Sequence, residues 1–71
     1  MFVLRLEHKT GAVGPIFFAG ETDSGGGQWQ YGFALAERFQ TPDYDLQNAL
    51  MGYYNHERIW ANYLWDWIEV Q

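Results

Sequence analysis

In the first half of the chain, short apolar stretches with a two-residue period are separated by breaks rich in glycine. Residues 2–9 and residues 29–36 alternate in this way, and residues 16–19 are apolar and aromatic. A period of two is typical of half-buried strands. The pattern therefore predicts three antiparallel strands, with the first two joined as a hairpin across the turn at 10–15. Residues 33–39 also suit a helix, and the pattern leaves that alternative open.

Between the second and third predicted strands lies a polar stretch, residues 20–28, in which four of nine residues are glycine and none is apolar. Such a stretch cannot form a core, so we expect an exposed and mobile loop. Gly25, Gly26 and Gly27 invite comparison with a phosphate-binding loop. No lysine follows them, and Asp23 would repel a phosphate, so the pattern indicates a plain loop.

The second half of the chain has helical periodicity. Thr41 and Pro42 form a good helix start, and apolar residues then recur at helical spacing, which predicts a helix within 42–54. Apolar residues spaced by four within 57–69 favour a second helix. The alternative is a final strand over 63–70, because apolar residues there also alternate.

These elements predict an α+β fold: an antiparallel sheet of about three strands packed against one or two C-terminal helices. With 71 residues the chain has room for one domain, 1–71. It has no cysteine, so disulfides cannot stabilise it, and the 14 aromatic residues, 20% of the chain, must supply much of the buried surface.

The charge balance indicates which class of partner the chain can bind. Nine acidic residues against four basic ones give a net charge of −5, which repels phosphate backbones, so we expect no direct binding of nucleic acid. A basic protein surface would be attracted. No stretch has 18 apolar residues and the beginning has no export pattern, so we expect no membrane association and a cytoplasmic location.

Candidate catalytic groups are sparse. The few hydroxyl side chains lie in predicted turns and caps, without the neighbouring base and oxyanion site that a nucleophile needs. The only histidines, His8 and His56, each adjoin a glutamate, but adjacent side chains diverge and cannot chelate a metal together. We therefore expect no enzyme activity, no metal and no cofactor.

The aromatic residues are the more informative feature. On the helical interpretation of 57–69, Trp65 lies off the buried stripe, and Tyr54 lies beside the stripe of the first helix. Exposed aromatic residues next to carboxylates are typical of protein interfaces. The predicted partner-binding residues are Trp65, Asp66, Glu69, Tyr54, Asp43 and Asp45.

In size, acidity and lack of catalytic motifs, the whole chain resembles small phage-encoded inhibitor proteins of the anti-CRISPR type. This resemblance implies a non-catalytic protein that occupies a basic surface of a larger host protein or ribonucleoprotein complex. Two alternatives remain open: a structural or assembly protein that associates with its own copies through exposed aromatic residues, and a small enzyme or ligand-binding domain.

Overall fold

The computed structural model describes residues 1–55 and 57–71, and for residues 58 and 59 it describes the backbone only. Within these residues the chain forms four strands, one α-helix and one short 3₁₀-helix, which confirms the α+β class. In chain order they are β1 (Phe2–His8), β2 (Ile16–Glu21), β3 (Gly27–Gln30), α1 (Tyr44–Tyr54), the 3₁₀-helix (Arg58–Asn62) and β4 (Tyr63–Glu69).

The four strands form one antiparallel sheet in the order β3-β2-β1-β4. The longest ladder joins β1 to β4, from Phe2 opposite Glu69 to His8 opposite Tyr63. Near the start of β1, the connection that leads to α1 hydrogen-bonds to both central strands. Phe39 exchanges two backbone hydrogen bonds with Phe2, and the N–H of Glu37 donates to the carbonyl of Phe18 at 2.9 Å.

The main core lies between α1 and one face of the sheet. Leu4 and Leu6 of β1 and Phe18 of β2 are fully buried there against Leu50 of α1. Leu4 and Leu6 are separated by one residue, so the two-residue period of β1 directs both side chains to the helix. This arrangement confirms the amphipathic strand predicted over 2–9 and the helix predicted within 42–54.

The opposite face of the sheet is covered only in part, and we call it the open face. Val3 and Phe17 are buried there beneath Ala36, with Ile68 packed against them. The register of β1 and β4 also places Arg5, Asp66 and Leu64 on this side of the sheet. No helix among the described residues packs on the open face, and Leu64, Arg5 and Asp66 remain at least partly exposed there.

The predicted strand over 29–36 is wrong in both its bounds. The strand β3 begins at Gly27 and ends at Gln30, where it pairs with Phe17 of β2. In that register Gly32 would lie opposite Pro15, which has no N–H and immediately precedes β2. A continued strand would have no ladder partner there, so the chain turns away from the sheet.

The helix predicted within 57–69 is wrong for most of that segment, where only the short 3₁₀-helix Arg58–Asn62 is helical. Residues 63–69 form β4, which is the alternative that the sequence left open. As a strand, this segment pairs along the whole length of β1 and directs Trp65 and Trp67 to the main core. Its neighbour in space comes from the opposite end of the chain, so the helical spacing of its apolar residues does not decide its conformation.

The glycine-rich segment 20–28 is more ordered in its contacts than the sequence suggests. Its ends belong to β2 and β3, and Gly26 is buried. Thr22 closes the turn, since its N–H donates to the carbonyl of Gly26 at 2.8 Å and its hydroxyl accepts from the N–H of Gly26 at 3.0 Å. Gly25 has a φ of 96°, which an L side chain rarely adopts. The expectation of an exposed loop therefore holds for residues 23–25 and is wrong for Gly26.

Candidate protein-binding surface

Tyr54 was predicted to lie exposed beside the helix stripe, and this is wrong because it is only 8% exposed. Its hydroxyl accepts hydrogen bonds from the N–H of Gly27 at 2.8 Å and from Nε1 of Trp29 at 3.2 Å, and it donates to the carbonyl of Gly27 at 3.5 Å. These bonds use the full capacity of a tyrosine hydroxyl. Tyr54 therefore joins α1 to the start of β3, and its hydroxyl is fully engaged within the molecule.

Trp65 was predicted to face outward, and this is wrong as well. On β4 it shares the helix side of the sheet with Trp67, and its ring meets that of Trp29 edge-on with centroids 5.8 Å apart. Trp67 is held similarly, because its Nε1 donates to Oε1 of Gln47 on α1 at 2.7 Å. Both indoles are structural parts of the core edge.

Asp66 is the predicted site residue that reaches the open face. Its carboxylate accepts two hydrogen bonds from Arg5, from Nε at 3.2 Å and from an Nη at 2.8 Å. The same guanidinium lies 3.1 Å from Glu7. The hydrogen bond to Asp66 raises the pKa of Arg5 above its ordinary value, and both carboxylates add to this shift. One cation thus serves two partly exposed carboxylates, which leaves the cluster with a charge of −1.

The other three predicted carboxylates lie apart from this cluster. Oδ1 of Asp43 accepts from the N–H of Leu46 at 3.0 Å and so caps α1, and Asp45 is exposed in its first turn. Both border an open surface depression of about 460 Å³ at the start of the helix. Glu69 is exposed at the end of β4, opposite Phe2. The six predicted residues do not form one site.

Among the described residues, exposed apolar side chains are concentrated in a segment that falls within the predicted strand 29–36. After β3 ends, Tyr31 is 73% exposed, Phe33 is 52% exposed and Leu35 is 72% exposed. We call residues 31–35 the apolar loop. The ring of Phe33 contacts Phe17, with centroids 6.0 Å apart, which places this part of the loop on the open side of the sheet. The signal that could have indicated it was Pro15, which limits how far β3 can pair.

Through Phe33, the apolar loop borders the open side of the sheet. Besides the loop, this side carries Leu64, which is 56% exposed, and the cluster of Arg5, Glu7 and Asp66. Exposed aromatic and apolar side chains beside a few charged groups are typical of protein interfaces. This combined surface is the candidate binding surface.

On the helix side there is a second concavity of about 310 Å³. Tyr54, Trp60 and Trp65 line it, together with Met51 and Glu57 at its border. The rings of Tyr54 and Trp60 lie 4.0 Å apart between centroids, and Nε1 of Trp60 donates to Glu57 at 3.0 Å. These contacts hold the 3₁₀-helix against the end of α1. The expectation of no metal site concerned His8 and His56, and His56 lies outside the described residues.

No protein-family model matches the chain, and no curated protein or solved structure matches it significantly. Among the described residues, no helix is long and apolar enough to cross a membrane.

Proposed function

We propose that the protein is a non-catalytic binding protein that uses the apolar loop and the open face to occupy a basic surface of a larger protein or ribonucleoprotein complex. An inhibitory role, as the resemblance to small phage-encoded inhibitors implies, is part of this proposal. The partner's own activity would be blocked because the occupied surface is no longer accessible.

The observation that supports the proposal most directly is the exposure of Tyr31, Phe33 and Leu35 in five consecutive residues. Burying a large apolar side chain stabilises a protein by about 1.5–3 kcal/mol. These three side chains contribute little of that stabilisation to the isolated domain, although a small domain has little other apolar surface to bury. A partner that covers the loop would recover that stabilisation. Aromatic residues at the centre of an interface commonly contribute most of its affinity.

Charge supports a basic partner. The cluster on the open face has one guanidinium for two carboxylates, and the whole chain carries −5. Arg5 is already engaged on both sides, so a cation from a partner would find Glu7 and Asp66 as acceptors. Opposite charges speed encounter and select the partner more than they add affinity.

The experiment is an affinity capture with three forms of the protein: wild type, the double variant Tyr31→Ala/Leu35→Ala, and the control Tyr44→Ala. Tyr44 is also an exposed aromatic residue, but it lies at the start of α1, on the helix side. Each form is immobilised and exposed to an extract of the organism that encodes it, and the retained proteins are quantified by mass spectrometry.

We expect a basic protein, or the protein part of a ribonucleoprotein, to be retained by wild type and by the control and lost with the double variant. Retention should fall as salt is raised, because screening shortens the range of charge attraction. The proposal fails if the double variant retains the same proteins as wild type.

Self-association is the second candidate, and the exposure of Tyr31 and Leu35 favours it. Sedimentation of the pure protein separates the two functions. Apolar self-association persists or strengthens at high salt, since screening reduces the repulsion between copies of charge −5. A monomer at all salt concentrations removes this candidate.

A further inference from the structure

The outer strand β4 has backbone groups that point away from the sheet, and its register shows which ones. The N–H of Val70 donates to the carbonyl of Met1, and the N–H of Lys9 donates to the carbonyl of Asn62, both at 2.8 Å. Antiparallel ladders alternate between hydrogen-bonded and non-hydrogen-bonded pairs. The even-numbered residues of β4 therefore bond to β1, and the odd-numbered residues direct their N–H and C=O groups outward.

The hydrogen bonds of β1 agree with this assignment. The odd-numbered residues of β1 face β4, so the even-numbered ones must face the other way. Phe2 does so, because both of its backbone groups bond to Phe39. On β4, the outward groups belong chiefly to Trp65 and Trp67, and no backbone partner for them exists among the described residues. An edge strand of seven residues is a template for pairing with another strand.

The charges along β4 indicate which strand it accepts. A second copy would bring another Asp66 and Glu69 to the edge, together with a charge of −5 on each molecule. Charged residues on an edge strand discourage pairing between copies. The same carboxylates would attract a strand that carries lysine or arginine, so they select against self-pairing and for a basic partner.

We propose that β4 accepts an extended, basic segment of the partner protein as a fifth, antiparallel strand of the sheet. This inference rests on the proposed function, from which it takes the basic partner. The residue of the added strand that lies opposite Asp66 forms a non-hydrogen-bonded pair with it, and side chains come closest in such pairs. The added strand should therefore carry a basic residue opposite Asp66, and apolar residues two positions away on either side, opposite Leu64 and Ile68.

A synthetic peptide tests this geometry: acetyl-Lys-Val-Thr-Arg-Thr-Val-Lys-amide. Its sequence is palindromic, with the arginine opposite Asp66, the threonines opposite Trp65 and Trp67, and a lysine opposite Glu69. Titration of isotope-labelled protein with this peptide, followed by amide chemical shifts, should show the largest changes at residues 63–69.

Two methylated peptides provide a matched pair. N-methylation of both threonines removes the N–H groups that would bond to β4, and N-methylation of both valines removes groups that point away from it. We expect the first peptide to bind about tenfold more weakly or worse, and the second to bind within about twofold of the parent. A peptide with glutamate in place of arginine should bind more weakly than the parent.

The protein side is tested with Glu69→Pro, which removes an outward N–H without removing a bond to β1, and with Glu69→Ala as the control for the lost charge. The proline variant should weaken peptide binding beyond the alanine variant. The inference is overturned if the parent peptide does not bind at millimolar concentration, if both methylations have equal effects, or if the shifts lie outside β4. A dimer that Glu69→Pro dissociates would also overturn it, since the occupant would be a second copy.

These outcomes are independent of the capture experiment. If capture of the partner depends on the apolar loop but the peptide does not bind, the proposed function stands and the proposal of an added strand is rejected. If the peptide binds to β4 as expected but the double variant captures the same proteins as wild type, strand addition at β4 is confirmed and the proposed binding surface is wrong.

Discussion

Replacing Tyr54 by phenylalanine removes a single oxygen atom from the centre of the molecule. The ring, which packs on Trp60 and fills the core beside Leu50, is retained. The N–H of Gly27 and Nε1 of Trp29 lose their shared acceptor, because both donate to the Tyr54 hydroxyl. The substitution therefore isolates the polar contribution of this residue from its packing.

The expected loss follows from the two donors. A buried donor without a partner costs about 1–3 kcal/mol, and both of these are only partly buried, so water can satisfy them in part. We expect Tyr54→Phe to lower the free energy of unfolding by about 2 kcal/mol. A chain of this size has roughly 4–10 kcal/mol in total, so the loss would be a substantial fraction.

Urea unfolding followed by circular dichroism measures the effect, with Tyr53→Phe as the matched control. The hydroxyl of Tyr53 lies 3.2 Å from that of Ser24 in an exposed position, so its removal should change stability by less than about 0.5 kcal/mol. For Tyr54→Phe the midpoint should fall by about 2 M urea, and the melting temperature by about 10 °C. Equal midpoints for the two variants would refute the bridging role of Tyr54.

Three further outcomes are expected. Gly26→Ala should cost about 1–3 kcal/mol in thermal melts, because its Cβ would lie 2.9 Å from the Tyr53 ring; an unchanged melting temperature would show that the glycine turn is passive. Trp65→Ala should cost about 3 kcal/mol, whereas Leu64→Ala on the open face should cost less than about 1 kcal/mol; similar losses would contradict the assigned faces of β4. Asp66→Asn should cost less than about 1 kcal/mol, because its ion pair is partly exposed, and a larger loss in urea unfolding at low salt would contradict this.

The sequence by itself was sufficient where structure depends on neighbours in the chain. Alternation places Leu4 and Leu6 on one side of β1, and helical spacing predicts α1 within 42–54. The predicted cap, Thr41, was wrong by two residues, because Asp43 caps the helix through a bond from the N–H of Leu46. The net charge, and with it the class of partner in our proposal, is likewise a property of composition. These features need no knowledge of what lies across the core.

Only the tertiary structure decided that the C-terminal segment is a strand, and hence which of the predicted site residues are exposed. The apolar residues of 63–69 occupy both odd and even positions, so their spacing suits a helix and a strand alike. Pairing with β1 decides for the strand. Arg5 and Asp66, which lie opposite each other and are hydrogen-bonded, are 61 residues apart in the chain. Strand pairing is a long-range contact and leaves no local periodicity of its own. Pairing with β1 turns Trp65 to the edge of the core, and contacts with Gly27 and Trp29 bury Tyr54. Exposed aromatic side chains lie instead in the apolar loop, where β3 has no further partner.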